Sequence, residues 1–136
     1  MTILLKNKFQ VIKHDEKSNL IEFSWKENIS HKLNDKLFFQ EVKIGADLIS
    51  KYLPKKIIVQ TQNLEYPISP KLQIQINKIL YKSYEEAVIS KLAFVMPEDI
   101  VEQMSIEQTV QVSETKNFFK TEYFKNLTDA YAWINQ

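Results

Sequence analysis

From residue 20 onward, short runs of strand length alternate with longer segments of helical period, and this alternation restricts the fold more than any motif does. In LIEFSWK, 20–26, Ile21, Phe23 and Trp25 fall on one face by period-two spacing, with Glu22 and Ser24 on the other. From 33 to 53 the period changes. Leu33, Leu37, Phe38, Glu41, Ile44, Leu48 and Tyr52 follow one side of a helix, and Leu53-Pro54 closes it, since the residue before a proline is driven from helical dihedrals. Glu41 interrupts that apolar stripe, which leaves three roles open: pairing with a lysine, lining a small cavity, or marking the stripe's edge. Gly45, inside the same helix, costs about 1 kcal/mol relative to alanine. It is read as a tolerated glycine, with close packing the alternative.

The pattern repeats downstream. KKIIVQT, 55–61, is a short apolar strand, and residues 68–87 carry Leu72, Ile76, Ile79, Leu80 and Tyr84 at helical steps. KLAFVM, 91–96, is a continuous apolar run suited to a strand covered on both faces. Pro97-Glu98-Asp99 opens a third helix, whose inward residues are expected to be Ile100, Val101 and Met104. KTEYF, 120–124, gives a last strand, and a terminal helix from 126 aligns Leu127, Tyr131 and Ile134. Ahead of all this, FQVIKH, 9–14, makes a weak strand that turns back through DEKSN. The expected architecture is α/β, a single domain over 1–136. It has a mixed, mostly parallel sheet with an N-terminal antiparallel hairpin and about four helices.

Composition narrows the functional classes. With 18 basic residues, all lysine, against 17 acidic ones, the net charge of +1 gives no electrostatic case for nucleic acid or an anionic membrane surface. No cysteine is present, which excludes thiol catalysis and thiolate metal sites. The opening MTILLKNK is too short an apolar run for a signal peptide, and no run approaches the roughly 20 residues needed to cross a bilayer. A cytoplasmic protein without membrane insertion is therefore expected. One glycine cannot build a phosphate-cradling turn, so no nucleotide cofactor, nor any other, is expected.

Three stretches taken in order resemble a known family. These are LIEFSWKE at 20–27, KLAFVMPEDIVEQMSIE at 91–107 and YFKNLTDAYAWI at 123–134. Together they are similar to the small STAS-like, SpoIIAA-like proteins of Bacteroidetes-type bacteria, over roughly residues 9–134. The resemblance implies a mixed sheet with helices packed on it but almost no activity, whereas better-known STAS domains resemble switch modules. In those domains a serine or threonine at the start of a helix is phosphorylated and controls partner docking. The residue in the comparable place is Ser69, where TQNLEYPISP stands instead of the usual aspartate-serine surroundings.

Read from the residues alone, Ser69 is a helix cap followed by Pro70 at the first helical position. A phosphate there would meet free amides, with Lys71 nearby. His14 and His31 are the only histidines, and nothing in the sequence brings either to Ser69. No catalytic constellation and no metal-ligand spacing emerge, so the chain is read as non-enzymatic. The first expectation is an interaction or regulatory module with a protein partner, or a homodimer, docking on Ser69, Lys71, Glu98 and Asp99. The alternative is a binder of a small apolar or lipid-like ligand, with a cavity of at least about 300 Å³ between sheet and helices. Of the adjacent pairs Phe38-Phe39 and Phe118-Phe119, one member of each is expected to leave the core for a groove, a loop or an interface.

Overall fold

A computed structural model describes residues 1–111 and 118–136. Six strands form one sheet in strictly sequential order, β1 (Thr2–Lys6), β2 (Gln10–Asp15), β3 (Leu20–Trp25), β4 (Lys56–Gln60), β5 (Lys91–Val95) and β6 (Lys120–Phe124). The first three pair antiparallel and the last four, β3 to β6, pair parallel. The mixed sheet and its N-terminal hairpin are as expected. β1 adds a strand that the sequence reading left out, because ILL is short and its register on β2 slips between Ile3 and Leu5.

Helices α1 (Asp35–Tyr52), α2 (Pro70–Ala87) and α3 (Ile100–Gln111) make the three crossovers, and α4 (Leu127–Ile134) ends the chain. The first three cover one face of the sheet, since Ile49, Tyr84 and Ile106 share a cluster with Ile12, Phe23 and Phe94. Uniform crossover handedness requires this when parallel strands are laid down in order. α4 covers the opposite face, packing Ala130 and Ile134 on Leu20, Ile58, Ala93 and Val95. β3 to β5 are therefore covered on both sides, and Glu22, expected on an outer polar face, is buried beneath α4. There it accepts a hydrogen bond from the Tyr131 hydroxyl.

The helix ends follow from local chemistry. Asn34, Ser69 and Asn126 cap α1, α2 and α4 by accepting from Leu37 N (2.8 Å), Leu72 N (3.3 Å) and Asp129 N (2.9 Å). Glycine is not used to stop a helix. Leu53 and Val88 close α1 and α2 in the left-handed region, with φ of 51° and 53°. α3 differs from expectation. Asp99 caps it by accepting from Glu102 N, Pro97 lies before it, and Val101 and Met104 point outward at 74% and 51% exposure. The inner face is Ile106, Thr109 and Val110, so Val101 and Met104 do not define its buried side; the expectation for the Ile100 side chain lies outside the described residues.

One row of side chains sets the helix-covered face. Ile12, Phe23, Val59, Phe94 and Tyr123 stand in register across β2 to β6. Gly45 sits directly over Phe23, where an added Cβ would lie 2.9 Å from the ring edge. Close packing, not tolerance, accounts for this glycine. Gly45→Ala is expected to lower stability by about 1 kcal/mol, because overpacking outweighs the gain in helix propensity. Shortening the ring in Gly45→Ala/Phe23→Leu should reveal a coupling of about 1 kcal/mol in a double-mutant cycle by urea unfolding.

Candidate functional site

The row containing Phe23, Val59 and Phe94 has its smallest member in the middle, and the helices above do not refill the space. A hollow of about 120 Å³ results between the sheet and α1, α2 and α3. Its floor is Phe23, Val59 and Phe94, and its roof includes Ile76 and Leu80 of α2. At the carboxyl end of β3, Trp25 stacks on Phe38 (5.4 Å, 9°), and Phe38 stacks on Tyr66 (5.3 Å, 19°). This column ties the loop after β4 to α1. The Tyr66 hydroxyl also donates to Asp35, and burial followed by that carboxylate pushes its pKa up to about 12.

The hollow is mainly apolar, but Glu41 lines it while only 7% exposed. Of the roles left open for this residue, cavity lining is the one realised. Asn7 Nδ2 donates to Glu41 Oε1 at 2.7 Å and Gln10 Nε2 donates to the same oxygen at 3.1 Å. Gln10 Nε2 also reaches the Glu41 carbonyl at 3.0 Å. The Asn7 amide is oriented by its own turn, since its Oδ1 accepts from Phe9 N and Gln10 N, both at 2.9 Å, which aims Nδ2 at the carboxylate. A buried carboxylate needs such donors to offset its lost hydration. Among the described residues, no lysine or histidine forms an ion pair with it.

The other polar lining groups each have a donor engaged, the Asn77 amide one of its two. Thr61 Oγ1 donates to the Val95 carbonyl at 2.8 Å, Thr109 Oγ1 to the Ser105 carbonyl at 2.8 Å, and Asn77 Nδ2 to the Thr109 carbonyl. Gln10 and Asn77 were not singled out from sequence. Gln10 opens a strand and Asn77 falls one position after Ile76, so neither carried a signal beyond being polar.

The residues proposed from sequence lie elsewhere. Ser69, Lys71, Glu98 and Asp99 are all exposed, at the loops that follow β4 and β5. The loop after β4 is fastened to the middle of α3, as Ile68 N donates to Ser105 Oγ at 3.2 Å. The local charge is acidic. Burial, then Asp99, then Glu65 raise the Glu102 carboxyl, an arrangement that disfavours a further phosphate. His14 packs against Tyr52 with the rings tilted by 51°, at the far end of α1 beside the far end of α2, where Ser50 bonds Ser83. That lies about 20 Å of helix from Ser69. His31 is exposed in a 3-10 turn, Ser30–Lys32. Phe38 and Phe119 enter the hollow's wall. Phe39 lies in an open groove between α1 and α2, and Phe118 is exposed.

Among the described residues, no group of three or more His, Asp or Glu side chains could hold a metal ion, and no helix is long and apolar enough to cross a membrane. No family model, curated protein or solved structure matches the chain. Replacing Asn7 by alanine leaves Glu41 with Gln10 as its single side-chain donor. The expected loss is about 1–3 kcal/mol in the urea-unfolding free energy, against near-neutrality for the same change at the exposed Asn135.

Proposed function

We propose that the protein is a non-catalytic binding module of STAS-like fold, and that it holds one small, mainly apolar molecule between its sheet and helices α1 to α3. The observation that carries this reading is the hollow itself, an apolar space walled by aromatic rings with a few polar groups at its edge. Its position supports the reading. Trp25 and Thr61, both lining residues, stand at or just past the carboxyl ends of β3 and β4, the end of an open α/β sheet where ligands gather. The volume limits the occupant. At about 120 Å³ it is well below the lipid-sized space anticipated from sequence and close to an engineered apolar cavity that accepts benzene. One ring or a short branched chain fits; a full acyl chain does not.

Toluene is the simplest probe. Near saturation it should raise the thermal unfolding midpoint of the wild-type protein by about 3 °C. Val59→Phe, which puts a ring into the middle of the floor, should abolish the rise. An unchanged wild-type midpoint at saturating toluene would remove the reading.

A second reading keeps the loop surface as a docking face for a protein partner. The exposed pair Val101 and Met104, one turn apart on α3 and close to Asp99, favours it. On that reading Ser69→Asp should change the set of proteins recovered in a pull-down. Identical sets for wild type and variant, with no phosphate in the intact mass, exclude the switch version.

A further inference from the structure

The polar groups around the hollow are unevenly spent, and that imbalance selects a class of ligand. Donors are mostly committed: Gln10 Nε2 gives to two oxygens of Glu41, Thr61 and Thr109 each give their hydroxyl proton to a backbone carbonyl, and Asn77 gives one of its two N–H groups to another. Acceptors are left over. Among the described residues no hydrogen bond reaches Glu41 Oε2, Gln10 Oε1 or Asn77 Oδ1, although all three residues line the hollow and are at least nine-tenths buried. Glu41 also lacks a cation there. A molecule entering this space therefore finds oxygens to donate to and few free donors to receive from.

We infer that the ligand is a small apolar amine, its ammonium group donating to Glu41 Oε2 and its hydrocarbon body lying against Phe23, Val59 and Phe94. An ammonium carries three donors and supplies the charge that no side chain contributes, and a charge-assisted bond in a dry site is stronger than a neutral one. A carboxylic acid is rejected by the same wall, because its oxygens meet oxygens and its charge repeats that of Glu41. An alcohol satisfies the hydrogen bond without the charge and falls between the two. This inference rests on the reading of the hollow as a binding site and adds the chemistry of the head group to it.

Four one-ring probes separate the alternatives by calorimetric titration of the full chain at neutral pH: benzylamine, benzyl alcohol, toluene and benzoate. Benzylamine should bind at least about tenfold tighter than toluene, with benzyl alcohol between them and benzoate weakest. Glu41→Gln, which keeps the shape and removes the charge, should erase the amine's advantage while leaving toluene within about threefold. If toluene binds wild type and benzylamine binds no tighter than toluene or benzyl alcohol, the amine assignment is wrong and the hollow remains a binding site. Retention of the full amine preference in Glu41→Gln refutes the role of the carboxylate. If no probe binds, toluene included, both the binding reading and the amine assignment fall. The wild-type comparison decides the matter even where the variant does not fold.

Discussion

A valine standing between two phenylalanines is the constraint on which the interior depends. Val59 occupies the middle of β4, flanked in register by Phe23 and Phe94, and no larger side chain from above compensates for its small size. α1 can approach the sheet at this level only because position 45 has no Cβ to strike the Phe23 ring. The close approach on one side and the gap on the other come from the same row. Protein cores normally fill such differences to near-crystalline density, so a space of this size beneath three helices is a property of the residue choice and not of loose packing in general.

The chemistry at the edge of that space is built from the antiparallel part of the sheet. Asn7 and Gln10 belong to the turn and strand that precede the parallel core, and both reach across to the middle of α1 to hold Glu41. The N-terminal strands thus do more than cap a sheet edge. They orient the carboxylate that lines the hollow, and they leave its second oxygen without a protein donor among the described residues. A polar group this deeply buried is costly unless something answers it, and half of this one is answered by the chain itself.

Much of the architecture was legible in the sequence. Period-two spacing in LIEFSWK, the apolar run KLAFVM and the helical stripes of 33–53 and 68–87 each became the element they suggested, in the expected order. Where the reading missed, a local competitor explains it. Val101 and Met104 suggested an inward stripe, but α3 is oriented by its later turns, where Ile106 and Val110 find the core. A space between sheet and helices was legible only as an alternative, with Glu41 as one option for its lining. Its actual walls were not, since they come from β2 to β5, all three crossover helices and the loops between, which only the register brings into one layer. Glu41 was visible as an anomaly in its stripe, yet its partners Asn7 and Gln10 lie more than thirty positions away and carry no pattern. Ser69 was read correctly as a cap, and capping fully accounts for the bond it makes.

The sequential strand order has a consequence for how the molecule is made. Every strand pairs only with its nearest predecessor and successor along the chain, so none must be threaded between two already joined. A nascent chain leaving the ribosome can add each strand to a growing edge as it emerges, with its crossover helix folding down behind it. The layer from β2 to β5 is complete before the final strand and helix are synthesised. Assembly of this kind can lengthen or shorten at the β1 rim without disturbing the centre, whereas α4, laid across β3 to β5, closes the opposite face last.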